Sequence, residues 1–168
     1  KAKEGVCVRL MSDGMNSFSN LPHDYPRQLE AKGIKCRIFN PIRPAVSTGQ
    51  NNRDHRKILV IDGHTAFTGG INLADEYINR RRLHGHWKDT AVMLSGEAVR
   101  GFTLMFLQMW NVDSRRVDNY ERYLGASFPV EAPGYILPYG DRPFDEELVG
   151  ETVYMDILNR ARRYVHIT

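Results

Sequence analysis

The chain has 168 residues, of which 42% are hydrophobic and 26% charged, a globular composition that predicts one domain, or one domain with an attached piece. Lys and Arg number 23 against 20 Asp and Glu, and the resulting net charge of +3 is too small by itself to imply a nucleic-acid partner or a polybasic membrane anchor. The longest apolar run, GFTLMFLQMW, is about half the length needed to cross a bilayer, and no signal peptide is visible.

The first strand is predicted over residues 6–13, VCVRLMSD, ending in a Ser-Asp-Gly turn signal. A helix follows, with Pro26 near its start and Gly33 near its stop, and KCRIFN at 35–40 reads as the next strand. Strand, helix and strand in that order predict an α/β unit with a right-handed crossover. Cys7 and Cys36 each sit in a β-branched, apolar neighbourhood and read as reduced, buried strand thiols, with no metal site or disulfide framework between them. NPIRPAVSTGQNN at 40–52 is a loop of the kind that carries sites.

HRKILVID predicts a strand from His55, Asp62-Gly63 a type I′ hairpin turn, and TAFTGG the returning strand. NLADEYINRR is expected to form a short helix with Asn72 near its N-terminus, and TAVMLSG another strand. Val99, Phe102, Thr103, Phe106 and Trp110 recur at helical spacing, with Ser95 as a cap, so this aromatic stripe is expected to be core. A Pro- and Gly-rich connector then leads to DEELVGETVYMDILNRARRYVHIT, read as a helix running into a strand. The chain opens on KAKEG and closes on an apolar segment that has barely begun, and is therefore expected to be a piece of a longer polypeptide.

Alternation along a strand beginning at His55 places His55 and Lys57 on one face, with Arg56 and Ile58 on the other. Asp62 is seven positions from His55, an odd offset, and so is expected to turn away and shape the hairpin. Gly69, Gly70 and Asn72 return toward His55, and the two glycines leave the backbone open to a tetrahedral anion. Lys57 then supplies a cationic donor, Asn72 an amide donor, and neutral His55 a nitrogen able to attack phosphorus. The same residues also fit a surface histidine, a solvated lysine and a plain turn.

His55, Lys57 and Asp62 stand as H-x-K-x-x-x-x-D, with Gly69, Gly70 and Asn72 following as G-G-x-N. This resembles the HKD signature of the phospholipase D superfamily, and VCVRLMSDG, GIKCRIFNP, NNRDHRKILVIDG, FTGGINLADEY and WKDTAVMLSGEAV resemble the first catalytic half of its bacterial cardiolipin synthase branch. The resemblance implies an α/β fold with a mixed sheet flanked by helices, as a single HKD half-domain over 1–144 (connector 125–144). Residues 145–168 would begin the second half. It also implies an enzyme without cofactor or metal, in which two HKD motifs face one another, one histidine attacking phosphorus while the other moves the proton. His55 would be one of the two, and Lys57, Gly69, Gly70 and Asn72 would surround the phosphoryl oxygens. Where many relatives have serine, this chain has Gly70, so backbone N–H groups or water must replace a hydroxyl donor. Asp89, at the head of a strand, is the candidate for fixing the imidazole tautomer; a strand-end capping role is its alternative.

The reaction so implied is phosphatidyl transfer between two phosphatidylglycerol molecules, giving cardiolipin and glycerol through a phosphohistidine. The setting would be the cytoplasmic side of a bacterial inner membrane. The isolated chain, with one motif, is expected to be inactive unless a second copy completes it as a homodimer, and its last helix and strand are expected either to fill a vacant place in this domain's own sheet or to swap into a partner. Arg80, Arg81 and Arg82 would meet anionic headgroups; His84 and His86 are expected at the pocket rim or surface, and Trp87 to pack. A single-HKD nuclease acting as a dimer, which would need a continuous basic groove, and a noncatalytic phosphate-binding module are the rival readings.

Overall fold

A computed structural model describes residues 1–42, 52–83, 85–112, 114, 117–125, 131–141 and 146–167. The fold is mixed α/β. Strands β1 (Arg9–Asp13) and β2 (Lys35–Phe39) pair in parallel, while β3 (Ile58–Ile61), β4 (Thr65–Gly69) and β5 (Ala91–Ser95) form an antiparallel trio in that order. Helices α1 (Gly14–Asn20) and α2 (Tyr25–Glu30) lie in the β1–β2 crossover, α3 (Val99–Trp110) follows β5, and α4 (Val149–Arg160) comes late in the chain.

The Ser-Asp-Gly signal marks a helix start and not a simple turn. Asp13 is extended, and its carboxylate accepts from the N–H groups of Met15 (3.0 Å) and Asn16 (3.4 Å), satisfying two donors that the first turn of α1 leaves free. The chain can begin a helix there because Gly14 packs against the Phe39 and Asn40 carbonyls, where a Cβ would lie 2.3 Å from the Asn40 oxygen. Pro26 stands in the first turn of α2, where its missing N–H costs nothing, as its position predicts.

The core lies between the antiparallel trio and α3. Ala66, Leu94, Val99 and Phe102 are buried together, and Ile58, Val60 and Met105 pack on them. The register explains the choice of residues: Val60, Ala66 and Leu94 stand opposite one another across the three strands, whereas Leu59, Phe67 and Met93 form the neighbouring row. Period-two alternation sends that row to the other face, where Leu59 and Met93 are exposed. The predicted stripe on α3 is the core face, but Ser95 is not its cap; the helix opens at Val99 without a side-chain cap. Trp110 ends α3 buried, with Phe106 stacked on it and the Arg37 guanidinium 4.6 Å from its ring centroid, which ties the helix to β2.

Four further expectations are corrected. Cys7 is exposed and lies ahead of β1; only Cys36 is in a strand, where burial pushes its thiol pKa up, and both cysteines are free. The strand expected from His55 starts at Ile58. Residues 72–81 form a series of turns where a helix was expected, because tertiary bonds described below hold them. Residues 161–167 form no strand, so the last helix does not run into one. The loop at 40–52 and the connector lie in large part outside the described residues. No helix among them is long and apolar enough to cross a membrane.

Candidate functional site

His55 and Lys57 are brought to one side by the approach to β3. Lys57 Nζ lies 2.9 Å from His55 Nε2 and donates to the His55 backbone carbonyl at 2.7 Å. An ammonium only donates, so with Lys57 charged the imidazole is neutral, its Nε2 lone pair faces Nζ and its proton sits on Nδ1. Between them, the Arg56 guanidinium grips Asp54 through Nε (2.8 Å) and a terminal nitrogen (3.0 Å). This bidentate pair fixes the segment before any sheet pairing begins. Asp54 is itself fixed, its N–H donating to Asp13 at 3.3 Å, so the cap of α1 also anchors the site segment.

His55, Arg56, Lys57 and Ile58 line a cavity of about 190 Å³ together with Thr68, Gly69 and Gly70 of the returning strand. Phe102 and Met105 of α3 and Tyr139 complete its wall. One side is therefore basic and hydrogen-bonding, and the other is the edge of the core. Sequence reasoning missed Met105 and Tyr139, which lie on a helix and in an irregular segment far from the motif; no local pattern marks them. Thr68 was hidden for a different reason, being a plain strand residue opposite Ile58.

Gly70 and Asp89 fit together. A Cβ on Gly70 would lie 2.7 Å from Asp89 Oδ1, so the carboxylate fills the space that a side chain would need. Asp89 accepts from the Trp87 indole (3.0 Å) and the Thr90 N–H (2.8 Å), and these bonds, with a further one from the Gly70 N–H and the nearby Lys57 charge, hold its pKa below the usual carboxylate value. The Gly70 N–H thus points at Asp89 and, at 3.4 Å, the Thr90 carbonyl, and it does not stand open to an anion as the sequence suggested. The bonds of Asp89 likewise lead to Trp87, Thr90 and Gly70 and not to the imidazole. Its field reaches Lys57, whose pKa is lowered by desolvation, a shift that Asp54 and Asp89 partly offset.

Asp62 sits elsewhere. It and Gly63 take left-handed backbone angles (φ 54° and 65°), as a type I′ turn requires, and the His64 N–H closes the turn on the Ile61 carbonyl at 3.0 Å. His55 precedes β3 and Asp62 follows it, so the four residues of the strand, roughly 13 Å at about 3.3 Å per residue, lie between them. Asn72 is half-buried just beyond Gly70, with its carbonyl accepting from Ala74 at 3.0 Å, and it does not line the cavity. The structure therefore gathers His55, Lys57, Gly69 and Gly70 on one wall, sets Asp89 behind Gly70, and leaves Asp62 at the far turn.

Residues 1–110 match the family described as cardiolipin synthase, PLD-like domain. The chain belongs to this family. A protein of Streptococcus mutans with no assigned activity is 58% identical over 99% of the chain and 36% of its own length. Cardiolipin synthases of Geobacillus thermodenitrificans and Alkalihalophilus pseudofirmus are 44% and 34% identical, each over 99% of the chain and about a third of their own length (34% and 33%). The chain thus spans about a third of the curated relatives it matches, and the phospholipase D-like character suggested by the H-x-K-x-x-x-x-D pattern is that of a domain within them. His86 is exposed and His84 lies outside the described residues; among those described, no group of His, Cys, Asp and Glu is placed to hold a metal ion. Trp87 packs edge-on against Tyr77, their centroids 4.8 Å apart, and also gives its indole proton to Asp89.

Proposed function

We propose that this chain is the first catalytic half of a cardiolipin synthase, which moves a phosphatidyl group from one phosphatidylglycerol to the hydroxyl of another. The observation that carries the reading is the 2.9 Å contact between Lys57 Nζ and His55 Nε2 on a wall continued by Gly69 and Gly70. A lone pair and an ammonium at that separation can meet phosphorus and a non-bridging oxygen of one phosphodiester together.

Written with His55 attacking, Nε2 bonds to phosphorus, the bond from phosphorus to the glycerol oxygen breaks, and the partner histidine of the second half protonates that oxygen. Glycerol leaves. The partner histidine then takes the proton from the hydroxyl of a second phosphatidylglycerol, whose oxygen attacks phosphorus as the P–N bond breaks, giving cardiolipin and restoring His55. Exchanging the two histidines leaves the balance unchanged. Lys57 neutralises the charge gathering on the non-bridging oxygens, and Asn72 adds an amide donor once substrate draws it in. Asp89 keeps Lys57 placed and charged, and Asp62 shapes the hairpin that returns the glycines. No cofactor is needed in this scheme.

Residues 145–168 begin the second half in this reading, and the site works on the cytoplasmic side of a bacterial inner membrane. The test uses the full-length protein with radiolabelled phosphatidylglycerol. Labelled cardiolipin forms with the unaltered protein and is absent with His55→Asn; product at an undiminished rate from the variant overturns the assignment.

A further inference from the structure

The connection between β4 and β5 is a folded projection whose two ends meet at the cavity. Gly69 pairs with Ala91, and the Gly70 N–H reaches the Thr90 carbonyl, so everything between emerges from the rim beside Asp89. The projection is tied internally: Asn79 donates to the Trp87 carbonyl (2.9 Å) and accepts from its N–H (2.7 Å), and the Arg80 and Arg81 N–H groups share the Asp75 carbonyl. Chain held this firmly has no need of exposed aliphatic side chains. Yet Leu73 is 97% exposed, and Ile78 and Leu83 are also exposed. Between and beside them stand Arg80, Arg81 and Arg82, all exposed, and among the described residues no ion pair takes up any of the three.

We infer that this projection is a docking surface for an anionic lipid bilayer, with Leu73, Ile78 and Leu83 entering the boundary of the acyl chains and the three arginines meeting the headgroups. Solvated aliphatic groups gain only by leaving water, and guanidinium groups only by keeping polar, negative partners. An interface that is apolar below and anionic above satisfies both at one depth. A nucleic acid would match the arginines and leave the aliphatic residues unmatched, since it offers phosphates and base faces. Asp75 and Glu76 lie in the same projection, but the Asp75 carbonyl ties it together, and neither carboxylate has an ion pair with the arginines. Docked in this way, the rim brings the cavity to the headgroup layer, and in that respect the inference rests on the lipid-transfer reading.

The test is flotation of the 168-residue chain with vesicles of phosphatidylcholine, with and without phosphatidylglycerol. Binding is expected to the mixed vesicles. It falls on the order of 100-fold when Arg80, Arg81 and Arg82 become alanine, roughly fivefold per arginine, and about tenfold for Leu73→Ser. A Leu73→Trp variant should lose fluorescence to lipids brominated on their acyl chains, which reports entry below the headgroups. Failure to bind mixed vesicles, unchanged binding in these variants, or binding of a single-stranded oligonucleotide with no quenching by brominated lipid overturns the inference. His55→Asn separates the two readings. It should bind vesicles like the unaltered chain and give no product in the full-length protein, so normal docking with product at an undiminished rate would sink only the proposed reaction.

Discussion

Helices α3 and α4 have 12 residues each, and they differ in what their apolar faces meet. In α3, Val99, Phe102, Thr103, Leu107, Met109 and Trp110 are buried, and the helix closes the core and gives Phe102 and Met105 to the cavity wall. In α4 no residue is buried; Tyr154, Met155 and Ile157 face water, and its tie to the preceding segment is the Gly150 N–H on Asp141 at 2.9 Å. A stretch of suitable residues makes a helix in both places. Only a covering partner makes a helix hold the fold together, because packing of an apolar face and not propensity supplies most helical stability. The site accordingly stands on α3, while among the described residues nothing buries the apolar side chains of α4.

The largest expected effect breaks this contrast directly. Phe102→Ala removes a buried ring from the core and should cost about 3–5 kcal/mol in a urea or guanidinium titration. Ile157→Ala on α4 should stay within about 0.5 kcal/mol. A comparable loss for Ile157 would mean that α4 packs within this chain. Since Phe102 also lines the cavity, its variant should weaken phosphate binding while folded, which links the core to the chemistry.

The same contrast shows what could be read without coordinates. The strands β3 to β5 and the buried face of α3 were legible because each is a local period in apolar residues, two for the strands and 3.6 for the helix. Residues 72–81 were misread because NLADEYINRR carries helix formers, and a tertiary clamp between Asn79 and Trp87 overrides them. Ser12, Asp13 and Gly14 use one vocabulary for turns and for helix caps, so their type could not be decided locally. In the site, His55 and Lys57 stood out through a long spaced motif. The Asp89–Gly70 fit and the place of Tyr139 depend on contacts across the fold that no spacing records.

Gly70→Ala sharpens the contrast at the site, where close fit replaces hydrophobic burial. Its Cβ would lie 2.7 Å from an Asp89 oxygen that Trp87 and Thr90 hold in place, so the carboxylate must swing or the backbone must shift. Overpacking of this kind costs about 1–3 kcal/mol. Thermal unfolding should show that loss for Gly70→Ala and a much smaller one for the same change at Gly85, beside which no atom lies within 4 Å of an added Cβ, although its φ of 86° exacts some strain. Gly70 itself is not in the left-handed region, so a loss there no larger than the strain cost at Gly85 would mean that the contact with Asp89 is relieved without effort.

The smallest effects are those of pH, and they separate two charges that share one rim. Desolvation lowers the Lys57 pKa below its ordinary 10.5, so phosphate affinity should decline on the alkaline side before a free lysine would lose its proton. Lys57→Arg should carry binding through that range, because a guanidinium stays charged. Asp89 acts with the opposite sign. Its folded pKa lies below the ordinary 3.8, so its contribution to stability is present above that value and is lost as pH falls through the lowered one. Acid unfolding of Asp89→Asn should therefore be less steep below 3.8 than that of the unaltered chain. If instead the variant steepened the acid limb, the bonds from Trp87 and Thr90 would not favour the charged carboxylate, and the account of Gly70 as the residue that makes room for it would fail as well.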